Sequence, residues 1–171
     1  MPVSESPFAT LDILGRGVVL PSLRLPLEAV FEAEHEQVES QLGELTVGFR
    51  ARVLRHLGIE AVAAFTDVTS AHAGIDAAIR ALRDAKIDTV QIAFVLDFST
   101  YASDRCGIWS LAHAVQFHVQ ASNAIALGIH GSGCAGLHAA LQVASALLQG
   151  RPREQVALLV AADRAPEFGR S

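Results

Sequence analysis

The chain has 171 residues, a net charge of −5, 51% hydrophobic and 18% charged residues, and a mean hydropathy of +0.35. That length suits one domain, and the composition demands a core buried on more than one side or a surface covered by a partner. The acidic balance argues against a nucleic-acid binder, and no run reaches the ~18 continuous apolar residues of a membrane span.

The N-terminus, MPVSESPFATLD, is polar and acidic, unlike a secretory leader. Residues 11–20, LDILGRGVVL, contain a β-like run stopped by Pro21. Residues 27–45 are rich in Glu, Ala and Leu, which predicts a helix with an acidic solvated face. Residues 46–56 carry Arg50, Arg52 and Arg55; Lys86 is the chain's single lysine. A cap at Thr69 or Ser70 followed by Ile75, Ala78, Ile79 and Leu82 predicts the next helix. A strand over 90–96, a helix over 106–120, a strand over 123–129, a helix over 134–149 and a strand over 156–162 complete the order. Strands alternating with helices indicate an α/β fold with a mainly parallel sheet, and strands without polar alternation indicate a sheet covered on both faces.

Residues 106–150 contain no Asp, Glu, Lys or Arg. The helix after Cys134 lies in this stretch and is rich in Ala and Gly, which predicts a central helix packed on all sides. Gln116, Gln120, Asn123, Ser132 and the histidines interrupt it too often for a membrane segment. His113 and His118 read as packing residues, His138 as a core histidine bonded to a backbone carbonyl, and Cys106 as a core or helix-start residue without a role.

The strand-to-helix turn GSGCAG admits three chemistries. Gly131, Gly133 and Gly136 satisfy the dinucleotide-binding G-x-G-x-x-G pattern, but its acidic partner is expected about 20 residues on and Asp163 is further away. His130, Cys134 and His138 are spaced four apart, yet such a set is weak evidence for a metal, and none is assigned. Cys134 at a helix N-terminus would face backbone N–H groups and the positive end of the helix dipole, which favour thiolate. Gly133, Ala135 and Gly136 would admit a substrate carbonyl and supply oxyanion support. An inert cysteine remains the alternative. Two thiols without a leader suggest a reducing, cytoplasmic setting.

Five stretches, in order, resemble the N-terminal half of a thiolase-fold condensing enzyme, most nearly a β-ketoacyl-ACP synthase III: ILGRGVVLP, VGFRAR, TSAHAGIDAAIRALRDAKID, HGSGCAGLHAALQVASALLQG and VALLVAADR. The resemblance spans most of residues 10–165, excepting a helical segment at about 21–45, and implies one thiolase-like half over 1–171. It implies that Cys134 takes an acyl group from coenzyme A or an acyl carrier protein, so that a phosphopantetheine thioester is substrate and no cofactor is bound. In such enzymes the acyl group then condenses with a decarboxylating malonyl thioester, or passes to an alcohol or amine. Arg50 and Arg52, with Arg55, suit a coenzyme A phosphate or an acidic carrier protein, the alternative being a solvated arginine face, and Leu137 is the further candidate for substrate contact. The departures are specific. The family's fold is a duplicated βαβαβαββ unit whose catalytic histidine and asparagine belong to the second half, and none of the seven histidines here occupies such a position. Thr46 stands where an arginine that contacts coenzyme A is expected, and Leu137 replaces the phenylalanine after Cys-Ala-Gly. The expectation is an acyl-transferring subunit completed by a C-terminal-half polypeptide or a second copy of itself. The alternatives are a non-catalytic half-thiolase scaffold and, from another class, a nucleotide-binding domain.

Overall fold

Three strands, β3 (Ile92–Asp97), β4 (Ile125–Gly128) and β5 (Val156–Val160), form a parallel sheet in the order β4-β3-β5. The computed structural model describes residues 11–26, 52, 55–56, 58–65, 68–100 and 110–163. They divide between two compact units, one holding 11–19 and 69–163, the other 20–26 and 52–68. The second contains an antiparallel ribbon of β1 (Leu23–Pro26) and β2 (Ala61–Ala64). Where the sequence suggests one domain, this ribbon forms its ladder within itself. It also corrects the helical reading of 21–45 at its start: residues 23–26 are strand, while 27–45 lie outside the described residues.

Helix α1 (Ser70–Ala85) begins where the sequence places it. The Thr69 side chain accepts from the His72 N–H at 3.2 Å, satisfying one of the first turn's free donors. It ends at Lys86, whose φ of 54° is the left-handed stop. Asp88 and Gln91 then form a reciprocal capping box over a short 3₁₀ turn, Thr89–Gln91, which delivers the chain into β3.

Helix α2 (Leu111–His118) joins β3 to β4, and helix α3 (Gly136–Leu148) joins β4 to β5. The first crossover steps across the sheet in one direction, the second in the other. Right-handed crossovers therefore put α2 and α3 on opposite faces. Two core clusters reflect this. On one face Ile92, Val95, Leu158 and Val160 pack with Ile75 and Ala78 of α1 and with Leu111, Ala112 and Val115 of α2. On the other, Ala93, Phe94 and Leu96 pack with Ala144 and are joined by Val143, Leu147 and Leu148. Ala93 and Phe94 share a face because the β3–β5 register shifts between Ile92 and Phe94. All six residues of β3 are buried, as a central parallel strand requires. Gln116 donates to Ala124 O at 2.6 Å and ties the end of α2 to the start of β4.

Residues 11–20 are not a strand. They lie against α1: the Arg16 N–H donates to Asp84 Oδ2 at 3.0 Å, and Arg80 Nη1 donates to Val18 O at 2.8 Å. The approach is too close for a side chain at Gly15 or Gly17, where a Cβ would fall 2.7 Å from Ala81 O and 1.9 Å from Ala77 O. The β-like composition therefore encodes an extended segment whose outward residues, Ile13, Leu14, Val18 and Leu20, are exposed.

Candidate active site

The C-terminal edge of a parallel sheet is where strand-to-helix turns converge and where open α/β sheets place their ligands. Here the turns after β3 and β4 meet there. After Gly128 the chain runs through Ile129–Ser132, makes a 3₁₀ turn over Gly133–Ala135, and enters α3 at Gly136. Cys134 sits in that turn, ahead of the helix, and is exposed.

The small residues around it have separate tasks. Gly131 and Gly133 have φ of 86° and 50°, a left-handed backbone that side chains disfavour, and the space around both is open. Gly136 is buried, and a Cβ there would lie 2.9 Å from Phe98 O, so glycine lets the start of α3 approach the end of β3. Of the residues expected to support an oxyanion, Ala135 donates its N–H to Ser132 O at 3.0 Å. Gly136 donates to Gly133 O. Both groups thus brace the turn itself. Leu137 is 52% exposed on the first turn of α3.

Beside this turn the structure assembles a polar cluster that the sequence does not announce. Asp97, the last residue of β3, is 1% exposed. Its Oδ1 accepts from the N–H and hydroxyl of Ser99 at 2.9 and 2.6 Å, and its Oδ2 accepts from the Leu111 N–H at 3.0 Å. The carboxylate thereby caps α2 from another strand, in keeping with the positive end of a helix dipole. Ser99 Oγ in turn accepts from the Ala162 N–H at 3.1 Å, tying in the end of β5. His130 Nδ1 lies 3.2 Å from Ser99 O, and its Nε2 lies 3.8 Å from Asp97 Oδ2. The available signal was an aspartate ending an otherwise apolar strand, where burial demands partners.

Other expected residues fall elsewhere. Arg50, Cys106 and Trp109 lie outside the described residues. Arg52 and Arg55 are exposed on helical backbone. His138 is exposed and accepts from Gln142 Nε2 at 3.2 Å, one helical turn on, so it is neither a core histidine nor bonded to a carbonyl. His118 is exposed too, its ring edge-on to Phe117, while His113 Nδ1 pairs with Ser110 Oγ at 3.0 Å. Among the described residues no three His, Cys, Asp or Glu side chains are grouped to hold a metal ion, and no helix is long and apolar enough to cross a membrane.

The β4-β3-β5 sheet with helices on both faces recurs in solved structures. ChlB3, an acyltransferase, superposes with a TM-score of 0.66 at 23% identity, over 88% of this chain and 41% of its own. A variant of OleA from Xanthomonas campestris gives 0.68 at 21% identity, over 91% and 46%. The 3-oxoacyl-acyl-carrier-protein synthase III of Aquifex aeolicus VF5 gives 0.55 at 21% identity, over 80% and 40%. The fold is that of the thiolase-fold condensing enzymes. The chain spans less than half the length of each of these proteins, which fits the N-terminal half of a thiolase fold. No protein-family model matches the chain, and no curated protein matches it.

The second face of the sheet is closed only in part. The expected helix follows the cysteine, but α3 is buried along one stripe, Gly136, Ala140, Ala144 and Ser145, rather than all round. Leu137, His138, Gln142 and Ala146 are exposed in the single chain. On β4, Ile125 and Leu127 pair in register with Phe94 and Leu96 and therefore share their face. They are 51% and 37% exposed.

Proposed function

We propose that the chain is a ketosynthase III-like acyl-transferring or condensing subunit in which Cys134 carries the acyl group. The observation that carries this reading is the location of Cys134: exposed, in a small-residue turn at the C-terminal edge of the sheet, immediately ahead of α3. A thiolate there attacks the carbonyl of an acyl-coenzyme A or acyl-carrier-protein thioester. The new C–S bond forms, the coenzyme A or phosphopantetheine thiolate leaves and takes up a proton, and a Cys134 thioester results. Gly133, Ala135 and Gly136 form and support the turn that presents the sulfur. Leu137 is assigned to substrate contact, and Arg50 and Arg52 to the thioester's phosphates or an acidic carrier protein. Nucleic acid, membrane and metal have no part in this chemistry.

Completion of the site is assigned to a complementary C-terminal-half polypeptide, or to a second copy of the chain. The open apolar residues Ile125, Leu127 and Leu137 support this part, because their exposure in a single chain is unfavourable by about 25 cal/mol per Å². A reducing cytoplasmic setting suits a free thiol. Intact-mass spectrometry after incubation with acyl-coenzyme A, with and without the complementary polypeptide, tests the reading. An acyl adduct lost in Cys134→Ala is expected. No adduct under either condition, or one that survives that substitution, removes it.

The same open face also favours a second reading, a non-catalytic scaffold completing another ketosynthase. Under it, the assembled complex keeps full activity with Cys134→Ser; under the first it loses it.

A further inference from the structure

We propose that His130 is a positioning residue, a latch that fixes the loop carrying Cys134 to the end of β3. The inference deepens the reading above and rests on it for its catalytic meaning. The loop from His130 to Ala135 has little else to hold it. Gly131 and Gly133 have nothing near the place a Cβ would occupy, and both take left-handed backbone that costs glycine nothing to leave. Ser132 makes no side-chain cap to the turn. Three anchors remain at the start of this segment among the described residues: the Ile129 N–H, which donates to Asp97 O at 2.7 Å, the Ile129 side chain, which packs against Ala93, Phe94 and Leu96, and the His130 ring.

One hydrogen bond and one close backbone approach hold the ring. Ser99 O only accepts, so Nδ1 carries the proton and donates to it at 3.2 Å. Nε2 lies 3.8 Å from the buried Asp97 carboxylate, beyond hydrogen-bond distance, and with the proton on Nδ1 it adds no bond there. Behind it, a Cβ on residue 128 would fall 2.6 Å from Nε2, so the ring occupies space that only a glycine leaves open. The G-I-H-G-S-G-C run thus has an order: a glycine to seat the ring, a histidine to lock it, then free glycines to turn the chain. Other titratable groups border the cluster. His113 reaches it through Ser110 at the start of α2. Asp163 follows Ala162, whose N–H is bonded to Ser99, and Cys134 itself ends the loop. Because Ser99 is itself bonded to Asp97 and to the Ala162 N–H, the latch ties the sulfur-bearing turn to the ends of β3 and β5.

The full chain tests this through two substitutions. In His130→Ala, amide hydrogen exchange over residues 129–135 is expected to rise at least about tenfold, while β3 amides stay protected. The rate of Cys134 acylation at saturating acyl-coenzyme A is expected to fall at least about fivefold. His130→Asn keeps an N–H near the Nδ1 position, and it is expected to restore most of both. Unchanged exchange in His130→Ala, or an asparagine variant as mobile as the alanine one, overturns the latch. If the wild-type chain is never acylated, the enzymatic reading fails while exchange still decides whether His130 holds the loop.

Discussion

The two faces of the sheet are built to different standards of closure. The face toward α1 and α2 is sealed: Ile92, Val95, Leu111, Ala112, Val115 and Val160 are all buried. The face toward α3 is sealed over β3 and open over β4, where Ile125 and Leu127 are 51% and 37% exposed. Both faces draw on the same kind of sequence, apolar and without alternation. Apolar composition therefore states that a surface is to be covered, and not which chain covers it.

That contrast has measurable consequences. Leu111→Ala, on the sealed face, is expected to destabilise the chain by about 3 kcal/mol in chemical denaturation, because it removes three buried carbon atoms and leaves a cavity. A loss under about 1 kcal/mol would mean the face is less well packed than its burial implies. Asp97→Ala is expected to cost about 2–3 kcal/mol in the same assay, since it strands the Leu111 N–H and the Ser99 donors away from water. Thr69→Ala removes the cap of α1 and is expected to cost about 1 kcal/mol. Ile125→Glu, on the open face, is expected to change stability by less than about 0.5 kcal/mol in the single chain. It should nonetheless abolish assembly with the complementary half or second copy, read as native mass by light scattering; a variant that still assembles would place the partner elsewhere. Cys134→Ser is expected to be equally silent in stability and to eliminate acylation entirely.

Much of the fold was legible because it depends on local pattern. The Thr69 cap, the α1 stripe of Ile75 and Ala78, and the apolar runs that became β3 and β5 are each encoded within a few neighbouring residues. The order of these elements, with Cys134 ahead of a small-residue helix, made the thiolase resemblance readable. Residues 11–20 misled for a physical reason. β-branched and apolar residues favour extended backbone, but a strand needs a partner with free donors and acceptors. Gly15 and Gly17 instead admit the backbone of α1. His138 misled likewise: on a helix without charges it read as a core histidine, yet it falls on the side of α3 that the single chain leaves open.

What the sequence alone determined is the alternation of strands and helices, the placement of Cys134 at a turn, and a demand for burial across residues 106–150. These are properties of short windows, set by propensity, capping and hydropathy. Only the tertiary structure brought Asp97, Ser99 and His130 together at the edge of the sheet, and only it divided the apolar surface into a closed face and an open one. Those outcomes depend on which distant segments the crossovers bring into contact. A buried carboxylate binds whatever donors the fold delivers to it, and no local pattern specifies which those are.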